Sequence, residues 1–221
     1  METRLDRRPN LRDQVYEIVK RMIVLQEIAP GGKINEEDLA ERIGVSRTPI
    51  RETLCRLDNE GIVKIVPRRG AFVVKQSQET VIEILQVREV LEGLVARLAS
   101  ENMDERMLRR LRRALEDISG TPDDEEHLTK YTRADIEFHA ILLECARNRM
   151  LQSMMAVVNA HLQIIRLRTV VLPGRAKRTV EEHHEILKAI DGRDAPAAEA
   201  LMRRHVASVR HDAMENIDAM L

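Results

Sequence analysis

One carboxylate and three imidazoles fall on inward-facing positions of three helical stretches in the second half of the chain. Asp135 lies on the apolar stripe Leu128, Tyr131, Phe138, Leu142 and Cys145, and His139 follows one helical turn later. His183 shares a face with Ile186, Leu187 and Ile190, while His184 sits nearer the edge of that face. His205 shares a stripe with Ala198, Leu201, Met202 and Val209. An unpaired buried carboxylate costs on the order of several kcal/mol, so Asp135 needs a partner. Three imidazoles and a carboxylate suit a divalent transition metal, Zn²⁺ first and Ni²⁺, Mn²⁺ or Fe²⁺ as alternatives. Taken singly, each residue has a plainer reading. An inward histidine is more often a hydrogen-bonded core residue, and Asp135 with His139 can be a simple ion pair. Four such residues in one small domain favour the metal.

A second constellation lies near the N-terminus. Ser46 stands where an N-cap belongs, and Arg47, Thr48, Pro49 and Arg51 occupy the first turns of the helix behind it. An arginine can bond guanine O6 and N7 through two parallel N–H groups, and threonine can touch a base edge or a phosphate. Pro49 falls in the first turn, where its missing N–H costs nothing. Arg68, Arg69 and Gly70 lie at the tip of an expected hairpin, placed to reach a nucleic-acid backbone or minor groove.

The elements that must hold these residues are legible from periodicity and punctuation. Leu11 to Leu25 repeats apolar residues at helical spacing and stops at Ala29-Pro30-Gly31-Gly32. A short helix from Glu36 to Ile43 has Asn35 as its N-cap and Gly44 just past its end. A third helix runs from Arg47 to about Asn59. Ile62–Val66 and Ala71–Val74 are β-rich runs around Pro67-Arg68-Arg69-Gly70 and read as a hairpin. Helix, short helix, turn, helix, hairpin is the order of a winged helix-turn-helix, whose second helix of the pair enters the major groove. Six helical segments follow, near 79–101, 105–118, 124–146, 150–170, 176–190 and 195–217. The expected fold class is mainly α. A winged helix-turn-helix with a small β-hairpin wing occupies residues 8–76, and a six-helix bundle residues 77–221.

Composition agrees. Of 221 residues, 43% are hydrophobic and only 2% aromatic, so the core must be aliphatic and methionine-rich, which suits packed helices. The net charge of −1 hides an asymmetry: residues 1–75 carry +3 and residues 76–221 carry −4. A basic N-terminal part is consistent with a polyanionic partner. Cys55 and Cys145 have no paired spacing, which points to a reducing compartment. METRLDRRPN has no apolar core of a signal peptide, and no apolar run approaches the ~20 residues of a membrane span. A cytoplasmic protein with no membrane partner is expected.

The run from Glu37 to Leu54, EDLAERIGVSRTPIRETL, resembles the signature of GntR-family regulators. The resemblance continues through Arg56-Leu57, Glu60-Gly61 and Pro67-Arg68-Arg69-Gly70-Ala71-Phe72-Val73. It implies that Arg47 and Arg51 are recognition-helix arginines and that Gly70 is the wing-tip glycine. Cys55 departs from the family's usual alanine, as a packing variant or, as a sharper alternative, a redox-sensing thiol. The second half resembles the FCD (FadR C-terminal) domain. The matching residues are Asp135-x-x-Phe138-His139, Asn148, Glu182-His183-x-x-Ile186-Leu187-x-Ala189-Ile190 and Met202-x-x-His205. In metal-binding members these positions supply the ligands, so the resemblance carries that role to Asp135, His139, His183 and His205. Six helices rather than seven resemble the VanR-type branch. The family often has an arginine at the position of Arg88, which can meet a carboxylate effector beside the metal or form a structural ion pair with a glutamate.

These readings converge on a sequence-specific DNA-binding regulator, with repression the expected sense, controlled by a small organic acid at a metal site. The expected partners are a double-stranded DNA operator, the effector and a second copy of the chain, because paired heads read half-sites ~34 Å apart. The resemblance places the dimer interface on the helices near 79–101 and 105–118. The alternative is a regulator that senses the metal itself. A metal-dependent hydrolase is a remote third, since no inward Glu or His is placed as a general base and the head would go unused; no enzyme activity is expected. The chain is far too short for the aminotransferase-bearing branch of the GntR family.

Overall fold

The computed structural model describes residues 11–24, 26–116 and 125–216, with the side chains of 125–129 left aside. Two compact units result, Met1–Lys75 and Gln76–Leu221.

The first unit opens with α1 (Leu11–Val24), which buries Val15, Tyr16, Val19, Met22 and Ile23 along one stripe. The two-residue strand β1 (Lys33–Ile34) leads into α2 (Glu36–Ile43). Asn35 caps α2 by accepting the Glu37 N–H. Gly44 closes it at φ +77°, a left-handed conformation that any Cβ would strain. The turn delivers the chain to α3 (Arg47–Asn59), whose Ile50, Thr53, Leu54 and Leu57 are buried. Next come β2 (Val63–Val66) and β3 (Gly70–Val73), paired antiparallel with Val63 opposite Val73 and Val66 opposite Gly70. The hairpin expected from sequence is one strand short of the sheet that forms. β1 pairs with the free edge of β3, Lys33 opposite Phe72, so the strand order is β1-β3-β2. A two-residue strand is too short to leave a period-2 signal.

The second unit holds six helices among its described residues: α4 (Gln78–Asn102), α5 (Glu105–Glu116), α6 (Glu125–Cys145), α7 (Arg149–Thr169), α8 (Arg175–Asp191) and α9 (Ala195–Glu215). Ser77, Asn148 and Asp194 accept backbone N–H groups at the starts of α4, α7 and α9. The expected ends near Ile118, Asp124 and Ile217 lie outside the described residues. α4 runs through the bundle against α6, α7, α8 and α9, and lies most closely on α9. Gly93 permits that approach, since a Cβ there would stand 2.7 Å from Cγ of Arg203. The core is aliphatic and sulfur-rich, with Leu111, Phe138, Ile141, Leu142, Ile186 and Met202 fully enclosed. Because α4, α6, α8 and α9 all face this core, polar residues on their inner stripes are brought toward one another.

Candidate metal centre and nucleic-acid interface

In the bundle, Asp135 and His139 project from α6, His183 from α8 and His205 from α9. One donor atom from each lies within 4.8 Å of all the others. Asp135 Oδ1 is 3.7 Å from His139 Nε2 and 3.8 Å from His183 Nε2. Ligands of a tetrahedral ion at about 2.0–2.2 Å stand roughly 3.4 Å apart, so small side-chain adjustments bring these atoms to an ion. His184 is exposed and bonds the Val180 carbonyl at 2.8 Å, outside the cluster.

The imidazoles are oriented from behind. His139 Nδ1 is in close contact with a carboxylate oxygen of Glu92 on α4. His205 Nδ1 bonds Glu182 Oε2 at 2.7 Å. A carboxylate at Nδ1 keeps the proton there and turns the Nε2 lone pair into the cluster, as in metal sites generally. His183 is different. It is 0% exposed, stacked on Phe138 with ring centroids 4.0 Å apart, and neither of its nitrogens has a hydrogen-bond partner among the described residues. Nε2 of His205 is likewise unpartnered. Orphaned buried nitrogens are costly and need an explanation. A metal ion would take one nitrogen of each ring, and the neutral imidazoles it requires are present. Burial, then the neighbouring His205, His139 and Arg88, holds His183 well below the ordinary histidine value. Burial also lowers His205 against the pull of Glu182. Burial would raise the Asp135 carboxyl, but His139, Arg166 and Arg88 together hold it below the ordinary aspartate value. The donor set therefore fits a divalent transition metal.

Guanidinium groups surround the cluster. Arg88 is buried and bonds Glu92 Oε1 at 2.8 Å, so the ion pair with a glutamate is the reading that forms; its Nη2 also lies 3.2 Å from His139 Nε2. Arg166 stands with Nε 3.6 Å from Asp135 Oδ2. Arg175 bonds Thr179, Ser208, Asp212 and Glu182. A cleft of about 390 Å³, counting space open to solvent, is bordered by Arg88, Asp135, Arg166, Arg175 and His205. Of this shell, sequence reasoning singled out only Arg88 for a role. Glu92 carried a signal, four residues beyond Arg88 on the same helix face. Arg166, Arg175 and Asp212 carried none, because inward arginines read as surface charges.

The first unit presents a different surface. Ser46, Arg47, Thr48 and Arg51 are exposed at the start of α3, and Arg68 and Arg69 are exposed beside Gly70. Pro49, between them, is buried and packs against the unit. Ser46 holds the N-cap position with an extended backbone, yet its hydroxyl makes no capping bond. Pro49 at the third position of α3 has no N–H to offer, and the hydroxyl does not take the Thr48 N–H either. Arg47 pairs with Glu37 at 2.6 Å and Arg51 with Glu36 at 2.7 Å, both in open solvent. Arg68 adopts φ +63° and Gly70 φ +107° at the wing turn. Cys55 is exposed on α3, so it fills no packing position, and Cys145 is buried.

Comparison with known proteins gives concordant matches. The family model described as "Bacterial regulatory proteins, gntR family" matches residues 11–73, and the FCD domain model matches residues 83–208. The chain is 31% identical over 200 residues to the HTH-type transcriptional regulator YdhC of Bacillus subtilis (strain 168), covering 90% of this chain and 88% of that one. It is 28% identical over 222 residues to the HTH-type transcriptional repressor RspR of Escherichia coli (strain K12), covering 99% and 97%. Among solved structures it is similar to McbR/YncC of E. coli, with a TM-score of 0.62 and 22% identity over 96% of this chain and 97% of that one, a likeness of fold. No described helix is long and apolar enough to cross a membrane.

Proposed function

The chain belongs to the gntR family of bacterial regulatory proteins and carries an FCD domain, and on that premise we propose that this DNA-binding transcriptional regulator is a metal-dependent, effector-controlled repressor of the VanR-type branch. Residues 8–76 read a double-stranded operator. Arg47, Thr48 and Arg51 address base edges in the major groove. The Ser46 hydroxyl, left without a capping partner, and the backbone N–H groups at the start of α3 receive a phosphate. Pro49 shapes that turn from within. Arg68 and Arg69 reach the backbone or minor groove, and Gly70 permits the wing turn. Two copies of the chain bind together in the cytoplasm, each head taking one half-site.

Residues 77–221 form the sensing and dimerisation domain. Asp135, His139, His183 and His205 hold one divalent metal, Zn²⁺ in the first instance and Ni²⁺, Mn²⁺ or Fe²⁺ otherwise. The observation that carries this reading is His183, wholly buried with both ring nitrogens unpartnered among the described residues. A metal there supplies a Lewis-acid centre for a carboxylate oxygen of a small organic acid. The lone pair of His139 Nε2 that Arg88 now faces is the one a metal takes, so Arg88 must give it up. Its Nη2 donors then become available to the same carboxylate. Effector binding favours one arrangement of the paired heads and so changes operator affinity.

Metal content by mass spectrometry, for the wild type and the Asp135→Ala/His139→Ala double variant, tests the site. About one transition metal per chain, lost in the variant, is expected; a metal-free wild type that still answers carboxylates would sink the metal reading. A second reading, in which the metal is itself the signal, is favoured by the four protein donors within 4.8 Å of one another, enough to close a tetrahedral site. Chelation alone then changes operator affinity with no organic ligand present.

A further inference from the structure

We infer that the effector is a short dianion, a dicarboxylate, whose second carboxylate is received by Arg166. This rests on the metal-site reading above and adds the ligand's charge and a residue that reading does not use.

Charge is close to balanced by the protein's own residues around the cleft. Three buried guanidinium groups, of Arg88, Arg166 and Arg175, and the half-exposed Arg178 paired with Asp212 at the rim face four carboxylates, of Glu92, Asp135, Glu182 and Asp212. The protein alone is therefore balanced there. Imidazoles bind a metal in their neutral form, so a divalent ion leaves the site with a surplus of about two positive charges. Uncompensated charge in a low-dielectric interior is expensive, and anions entering the cleft are drawn to relieve it. A monocarboxylate relieves half of the surplus, and a dicarboxylate relieves all of it.

Geometry selects where the second carboxylate goes. Arg175 is saturated by Thr179, Ser208, Asp212 and Glu182. Arg88 is tied at Nε to Glu92 and faces the metal ligand His139, which suits the first carboxylate beside the ion. Arg166 is the least committed. It is 8% exposed and borders the same cleft, and its Nε has no hydrogen-bond partner among the described residues. Its Nη2 makes only a long bond of 3.4 Å to Asn159. Asp135 bridges the two subsites, with Oδ1 toward the histidines and Oδ2 3.6 Å from Arg166 Nε. One carboxylate side chain thus touches both subsites, which calls for a short linker.

The test uses full-length protein with Zn²⁺ loaded and its metal content measured. Affinities of malonate, succinate and glutarate are compared by calorimetry with those of their monoamides, in wild type and in Arg166→Gln. The expected result is a preference for at least one diacid over its monoamide of about tenfold or more. In Arg166→Gln that preference collapses while zinc content and monoamide affinity persist. Equal affinity for diacid and monoamide in zinc-loaded wild type overturns the inference and leaves the metal site standing. So does a preference that survives in Arg166→Gln. A wild type that takes up no zinc removes the surplus charge and overturns both, and the metal measurement tells the two failures apart. Should Arg166→Gln fail to fold, Arg166→Lys serves instead, keeping the charge but losing the fork, and a weakened preference is expected.

Discussion

The two units use the same side chains to opposite ends. On α3, Arg47 and Arg51 pair with Glu37 and Glu36 of α2 in open water. In the bundle, Arg88 and Arg175 pair with Glu92 and Glu182 behind the histidines, out of water. An exposed pair is worth little, with a median near 0–1 kcal/mol, and yields readily to a phosphate or a base. Breaking a buried pair strands a charge and costs roughly 3–5 kcal/mol. The dielectric around an arginine sets what it costs to change partners: an exposed one exchanges a carboxylate for a phosphate cheaply, and a buried one can exchange only for another charge.

The largest effect expected from breaking this contrast is in the bundle. Glu92→Leu removes the carboxylate that holds both Arg88 and His139, and should cost about 3–5 kcal/mol in denaturant unfolding. A loss under about 1 kcal/mol would mean that the pair is as weak as those on α3.

Acid should separate the units next. His183 and His205 have depressed values in the folded state. Their neutral forms therefore contribute stability that is complete above the unfolded value of about 6.5 and is lost as pH falls below it. Each buried histidine costs up to ~1.4 kcal/mol per pH unit over that window. The lowered Asp135, Glu92 and Glu182 carboxyls add a second loss in the carboxylate range. A metal-free protein whose stability is flat between about pH 7 and 5 would show that these histidines are not held neutral.

Arg47→Ala should lose ~1–3 kcal/mol of discrimination between the operator and a mismatched site without loss of fold. Unchanged specificity in a competition assay would remove Arg47 from the reading surface. Gly44→Ala should destabilise the first unit by about 1–2 kcal/mol, since the residue must hold φ +77°. The smallest effect is expected from Glu36→Gln with Glu37→Gln. Stability should move by under about 1 kcal/mol, while DNA affinity at low salt should rise as the arginines lose their internal competitors. A large stability loss there would show that the surface pairs are structural after all.

Most of the first unit was legible because its signals are local. Asn35, Gly44 and Ser46 punctuate helices over a few residues, and α2 begins and ends, and α3 begins, where those residues place them. The exceptions were non-local or hidden in a cap. β1 exists only because the edge of β3 is open to it, and Ser46 holds the N-cap position without the side-chain bond its residue type leads one to expect. In the second unit, helical periodicity exposed the six helices and put Asp135, His139, His183 and His205 on inner stripes. It could not show that Arg166 and Arg175 turn inward, because long charged side chains ordinarily reach for water.

The class of fold, the turn chemistry of the head and the inward placing of Asp135, His139, His183 and His205 are written in the chain, since each depends on spacing of a few residues along one helix or turn. What those residues face came from packing instead: Glu92 behind His139, Glu182 behind His205, Phe138 stacked on His183 with no hydrogen-bond partner for its nitrogens among the described residues, and Arg166 with a donor to spare. The physical reason is that pairing between helices is set by how whole faces pack. Which buried charge meets which is a property of that packing, and no single stripe contains it.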